Sequence, residues 1–171
     1  MVIETNRLIL REWKSNEEND LDKILGDSRV MYAYNQPFNE KEIREWLHWN
    51  LNSYKENGYG LWAIERKYDN KIIGECGITD QTINGVVYAE IGYHLMFDYW
   101  HQGYAIEAAQ ATKKAAFEIF KKTEVVSIVR DTNISSMNVA IKNGMTIKER
   151  FTKIYSGTNI PHYLFMKRYT E

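Results

Sequence analysis

Apolar positions recur along this chain with two distinct periods, and the change from one to the other divides it into elements. Residues 7–11 (RLILR) are a short apolar run suited to a strand, and the acidic stretch 16–22 then opens a helix carrying Leu21, Ile24 and Leu25. After a break at Pro37, Asn39 is placed to cap a second helix with Glu42 three residues on. In that helix Ile43, Leu47, Leu51 and Tyr54 repeat at helical spacing until Gly58. Three strands follow over 60–66, 71–79 and 86–97, with turns at Asp69-Asn70 and Asn84-Gly85, and this spacing predicts an antiparallel meander. Alternation in the third strand puts Tyr88, Glu90, Gly92, His94 and Met96 on one face and Val87, Ala89, Ile91, Tyr93 and Leu95 on the other. The Ala-rich stretch 105–121 predicts a helix about 25 Å long at 1.5 Å per residue. A strand over 125–129, a helix over 135–143 ended by Gly144, and two strands around Gly157 complete a predicted order of βααβββαβαββ.

Length makes this one domain covering 1–171, large enough to fold without a disulfide or metal staple. Neither a repeat nor a Gly- or Ser-rich linker divides it. Its longest apolar run, 30–34, is too short to span a bilayer, and the first residues lack the order of charge, apolar run and cleavage site of a signal peptide. A cytoplasmic protein with no membrane partner is expected. The single cysteine, Cys76, excludes an internal disulfide framework and agrees with a reducing compartment. With 22 basic against 23 acidic residues the chain lacks the positive excess that sequence-independent nucleic-acid binding draws on, so nucleic acid is not expected as a ligand. The four histidines show no metal-ligand spacing, and no metal site is expected.

Chemistry is most legible at Trp100-His101-Gln102-Gly103-Tyr104-Ala105, where a predicted strand gives way to the Ala-rich helix. The first turn of a helix has unpaired N–H groups and a partial positive charge, so phosphate binds there without a lysine, and Gly103 permits close approach to the backbone. A plain strand-to-helix turn is the alternative. Neither GxGxxG nor GxxxxGK[ST] is present, which excludes the dinucleotide fingerprint and the triphosphate cradle. Asn133 and Ser136 are residue types that cap helices. Cys76 has no evident base partner and reads as a buried, inert thiol. Trp46 and Trp49, flanking Leu47, read as core.

The stretch EIGYHLMFDYWHQGYAIEA, followed by NISSMNVAIKNGM at 133–145, resembles the GNAT superfamily of acetyl-CoA-dependent N-acetyltransferases. NRLILRE near the start, GYHL before the loop and the aromatic-Trp-x-Gln-Gly-Tyr-Ala order are similar to its ribosomal-protein N-terminal acetyltransferase branch. The family's phosphate loop runs Gln/Arg-x-x-Gly-x-Gly/Ala. Here Trp100 stands at its first position and His101 where a small residue is usual, while Gln102, Gly103, Tyr104 and Ala105 match.

The resemblance implies a mixed α/β fold with a bent, mostly antiparallel sheet, helices on both faces, and a V-shaped cofactor cleft where two central strands part. It implies that acetyl-CoA is the acyl donor. Backbone groups at Leu95, Met96 and Phe97 would pair with its pantetheine arm, and those at His101, Gln102, Gly103, Tyr104 and Ala105 would hold its pyrophosphate. Asn133 would meet the pantetheine or substrate, and Ser136 would lie near the thioester sulfur, where it or a nearby tyrosine protonates the departing thiolate. An amine of pKa about 8 must lose a proton to attack. Glu90 matches the position of the family's general base, with Glu75 on the neighbouring strand as the second candidate. The helix of Trp46 and Trp49 also borders the acceptor pocket in this family. Many relatives carry an acidic residue before the last tyrosine-containing strand, where this chain has Pro161-His162 before Tyr163. The expected partners are acetyl-CoA and an amine acceptor, with a slight preference for a protein N-terminus over a polyamine, amino acid or antibiotic, in a monomer or homodimer. A non-catalytic acyl-CoA sensor is the competing class.

Overall fold

The computed structural model describes residues 1–34, 36–155 and 157–170. Strands β1 (Val2–Glu4) and β2 (Leu8–Arg11) lead into α1 (Glu18–Leu25), a 3-10 turn (Met31–Tyr34) and α2 (Glu40–Asn57). The meander β3 (Leu61–Arg66), β4 (Lys71–Ile83) and β5 (Val86–Leu95) follows, then α3 (Tyr104–Glu118), β6 (Glu124–Arg130), α4 (Ile134–Lys142), β7 (Thr146–Tyr155) and β8 (Thr158–Arg168). The fold is mixed α/β, with the strands in one eight-stranded sheet of order β1-β2-β3-β4-β5-β6-β8-β7. Every neighbouring pair is antiparallel except β5 with β6.

Strand β3 shows why helices cover both faces. Its period-two alternation sends Trp62 and Ile64 into a core shared with Ala108, Ala109 and Ala116 of α3. Ala63 points the other way, into a core built from Leu21, Ile24 and Leu25 of α1 and Ile43 and Leu47 of α2. Burying a side chain the size of Leu or Ile stabilises by roughly 1.5–3 kcal/mol, so these two clusters hold the layers together. At Gly77 of β4 a Cβ would lie 1.9 Å from the Gly60 carbonyl oxygen, so no larger residue lets β4 pass the start of β3.

Local signals are realised closely. The Asn39 side chain accepts from Lys41 N and Glu42 N while Glu42 returns a bond to Asn39 N, a complete capping box. The helix ends at Gly58 with φ 77. Asn84 and Gly85 have φ of 50 and 80, the left-handed pair a two-residue hairpin turn requires. Because that turn is so tight, β4 runs on to Ile83 rather than stopping at 79. The predicted order also lacked β1, whose three residues pair with β2 and are too few to show a period. The Ala-rich helix closes at Glu118 rather than 121, and β5 at Leu95 rather than 97, with a 3-10 turn at Phe97–Tyr99. Among the described residues no helix is long and apolar enough to cross a membrane.

Candidate active site

Strands β5 and β6 lie in register only at Glu90 and Val126, and beyond that pair they part. Side chains take over where the backbone ladder stops. Ser127 Oγ donates to the Ile91 carbonyl at 2.9 Å, and the Ile128 N–H donates to Glu90 Oε1 at 3.2 Å. The opening widens into a cleft of about 590 Å³ lined by 90–95 of β5, 127–130 of β6, the start of α3 and the N-terminal end of α4. This is a volume range in which small ligands bind.

At one end of the cleft the backbone is shaped for an anion. His101 and Gly103 both have left-handed φ, 60 and 81, directly before the first turn of α3. Positive-φ residues ahead of a helix N-terminus turn consecutive N–H groups toward one point, which favours phosphate. A Cβ at Gly103 would come within 3.3 Å of Arg7 Nη2. Arg7 clamps this loop to the sheet: Nη1 donates to the Gln102 carbonyl at 2.9 Å and Nε to Glu107 Oε2 at 2.6 Å, while its guanidinium lies 4.3 Å from the centre of the Tyr104 ring. Glu107 Oε1 also accepts from Thr5 Oγ1 and Arg7 N. Burial pushes the Glu107 carboxyl up, but these hydrogen bonds outweigh it and hold the group below its ordinary value.

The expected cofactor residues divide. Leu95, His101, Gly103, Tyr104, Ala105, Asn133 and Ser136 line the cleft; Met96, Phe97 and Gln102 do not. Met96 N–H continues the ladder to the Ile73 carbonyl at 2.9 Å, and its side chain packs against the α1–α2 core. Phe97 stacks under Arg29 at 4.5 Å. Gln102 turns its side chain to the Asp98 carbonyl at 3.0 Å. Even the Leu95 carbonyl is engaged, accepting from the Trp100 indole at 2.8 Å. The end of β5 is therefore tied back into the protein, and of 95–97 only Leu95 faces the cleft.

On the opposite wall Asn133 Oδ1 accepts from Ser136 N at 3.1 Å, capping α4, and from the Tyr32 hydroxyl at 2.6 Å. Tyr93 donates its hydroxyl to the Ser136 carbonyl at 2.9 Å, and burial pushes that phenol well above its ordinary value, so it stays a neutral donor.

Glu90 sits at the apex where the strands separate. Besides Ile128 N it accepts from Thr79 Oγ1 at 3.2 Å, its cross-strand neighbour. Burial pushes its carboxyl above the ordinary carboxylate value against the opposing pull of Lys153. Glu75 is not on the cleft surface: it is fully buried, accepts from the indoles of Trp13 (3.3 Å) and Trp46 (3.1 Å), and shares a hydrogen bond with His94 Nδ1 (2.9 Å). His94 itself lines the cleft, with Nε2 3.0 Å from the Tyr34 hydroxyl. Sequence reasoning attached no role to His94, although the period-two alternation of β5 puts it on the face of Glu90. The core reading holds in part for Trp46, which packs against the α1–α2 core, and fails for Trp49. Both line the cleft, their rings tilted at 34° with centroids 5.5 Å apart, and Trp49 is 43% exposed. Cys76 lies off the cleft, fully buried against Thr112 Oγ1 at 3.3 Å, and burial pushes its thiol up to about 12. Among the described residues no group of three or more His, Cys, Asp or Glu side chains is close enough to hold a metal.

Comparison with known proteins agrees with this geometry. Residues 7–146 match the family model described as an acetyltransferase (GNAT) domain. The uncharacterized protein YkkB of Bacillus subtilis (strain 168) is 32% identical over 150 residues, 87% of this chain and 87% of that protein. A GNAT-family acetyltransferase from Bacillus anthracis superposes with a TM-score of 0.82 at 25% identity, covering 98% of both chains. A ribosomal L7/L12 α-N-protein acetyltransferase, RimL, solved in complex with coenzyme A, has the same fold, with a TM-score of 0.80 at 18% identity over 98% of each chain.

Proposed function

This chain belongs to the GNAT family of acetyltransferases, and from that premise we propose that it moves acetyl from acetyl-CoA directly to a primary amine, with a protein N-terminal α-amine as the favoured acceptor. One observation carries the reading: β5 and β6 part immediately beyond Glu90, so a carboxylate stands at the apex of a cleft whose other end is the left-handed loop before α3. The loop fits a pyrophosphate, because left-handed His101 and Gly103 lead straight into the unpaired N–H groups of the first turn of α3 and Gly103 leaves no Cβ there. The thioester then lies along the cleft toward Glu90. An α-amine of pKa about 8 arrives largely protonated, and the raised pKa of Glu90 suits it to take that proton. Ser136 and the neutral Tyr93 hydroxyl stand beside the position proposed for the departing sulfur. Direct transfer is favoured over a cysteinyl intermediate because Cys76 is buried away from the cleft. For the acceptor, the exposed aromatic edge of Tyr32, Tyr34 and Trp49 offers a surface for the residues that follow a peptide's first amine.

Titration with acetyl-CoA tests the first half. A ligand that binds only the native state must raise the melting temperature, so the absence of heat or shift at millimolar acetyl-CoA sinks the reading. Thiol release across an amine panel tests the second. Turnover of peptides with free N-termini is expected. Inert peptides beside a well-used small amine would make the acceptor a small molecule, and cofactor binding with no thiol release above background would make the protein a sensor.

A further inference from the structure

An amine that arrives as ammonium must shed two protons on its way to an amide, one to expose the lone pair and one after the C–N bond has formed. Glu90 serves the first. The second needs another acceptor, and a hydrogen-bonded chain on the same face of β5 has the required parts. His94 is paired across the sheet with Glu75, as Glu90 is with Thr79, and the two β5 residues are separated by roughly 13 Å of strand. That is too far for either side chain to do the other's work, but the Tyr34 hydroxyl, on Nε2 of His94, lines the same cleft as Glu90.

We propose that His94, held by the buried carboxylate of Glu75 and reached through the Tyr34 hydroxyl, is the second proton acceptor of the transfer reaction. The proposal rests on the acetyl-transfer reading above. In this role the Glu75 oxygen 2.9 Å from Nδ1 accepts the hydrogen that Nδ1 of His94 carries, and Nε2 keeps the lone pair that the Tyr34 hydroxyl, 3.0 Å away, meets. A buried anion on Nδ1 both fixes that tautomer and stabilises the imidazolium formed when Nε2 takes a proton, as in a catalytic triad. The two indole N–H bonds from Trp13 and Trp46 hold the Glu75 carboxylate, which makes it a positioning residue. In the step, the nitrogen lone pair forms the C–N bond to the acetyl carbon, and the N–H proton passes to Tyr34 oxygen as the Tyr34 proton passes to His94 Nε2. The C–S bond breaks with its electron pair on sulfur. Sulfur takes a proton through Ser136 or the Tyr93 hydroxyl, which water replaces, while the imidazolium and the Glu90 carboxyl each return one to water, so one proton is released per turnover and the balance closes.

The test joins nitrogen-15 NMR of the imidazoles of the parent protein to thiol-release kinetics on the parent, His94→Ala, Glu75→Gln and Tyr34→Phe. The expected result is an Nδ1–H tautomer at His94 and a kcat lowered about 10²-fold or more in His94→Ala, with KM for acetyl-CoA within about two-fold of the parent. Free imidazole should restore part of that kcat and leave the parent unchanged. Tyr34→Phe, altered at a partly exposed position, should show a smaller loss of the same kind, and it carries the argument if Glu75→Gln does not fold. An Nε2–H tautomer overturns the proposal whether or not any amine turns over. So does a His94→Ala kcat within about two-fold of the parent, and that result leaves the transfer reading standing. A parent that frees no thiol with any amine overturns both.

Discussion

The Tyr32 hydroxyl reaches Asn133 Oδ1 at 2.6 Å, and Asn133 uses the same oxygen to cap α4 through the Ser136 N–H at 3.1 Å. One side chain therefore ends a helix and ties the 3-10 turn Met31–Tyr34 across the mouth of the cleft. The two duties separate by mutation. Tyr32→Phe removes only the tie, so the melting temperature should hold while acetyl-CoA binds about three- to ten-fold more weakly, the worth of one hydrogen bond. Asn133→Ala removes the cap as well and should cost about 1 kcal/mol of stability in addition. Calorimetric titration and denaturant melts on the two variants check this.

Glu90→Gln should leave acetyl-CoA affinity nearly unchanged, because the cofactor contacts proposed above lie elsewhere, while the transfer rate falls by about 10² to 10⁴. The loss should shrink as pH rises and the amine arrives neutral. Stability should move the other way. A carboxyl whose folded pKa is raised favours the native state only when protonated, a contribution complete below the unfolded pKa and lost as pH rises through the folded one. Hence Glu90→Gln should melt higher than the parent at neutral pH, with the difference closing in acid. A lower melting temperature at neutral pH would contradict the burial argument.

Glu107 gives the opposite pH sign. Its folded pKa is depressed, so its stabilisation is present above the unfolded carboxyl value and lost as pH falls through the folded one. Glu107→Gln should flatten the acid limb of the stability profile. It should also weaken acetyl-CoA binding, since Arg7 loses the partner that holds it against the Gln102 carbonyl. Melting temperature against pH and a titration at neutral pH read the two effects separately.

Gly103→Ala forces a Cβ onto a residue at φ 81 and within 3.3 Å of Arg7 Nη2. A left-handed conformation costs an ordinary residue roughly 1–2 kcal/mol, so stability should fall by about that amount. Acetyl-CoA affinity should fall with it if this loop is the phosphate site proposed above. An unchanged affinity would remove Gly103 from the phosphate contact.

Cys76 should resist thiol reagents in the native protein and react fully once unfolded, because its thiol is buried and pushed up to about 12. Cys76→Ala should retain most of the transfer rate, and an inactive but folded Cys76→Ala would reopen a cysteinyl route.

Features that depend on a few neighbouring residues were readable in the sequence. The capping box of Asn39 and Glu42, the left-handed Gly58 and the Asn84-Gly85 turn each close within a short span, so residue types at fixed spacing suffice to specify them. Alternation likewise put Glu90 and His94 on one face of β5 before any partner was known. The partners themselves were decided by tertiary structure. Whether Glu75 or a neighbour faces His94 depends on the register of β4 against β5, and a slip of one residue would turn every side chain of the strand to the other face. Helical period told that Trp46 and Trp49 lie near Leu47 but not that a cleft would meet both of them while Trp46 also packs on the core. The bonds from Arg7 to Glu107 and from Tyr32 to Asn133 join segments far apart in the chain, and no local pattern specifies such a pair. The parting of β5 and β6, on which the site rests, is the absence of a ladder beyond Glu90 and Val126, and it exists only once the packed sheet has set where each strand must lie.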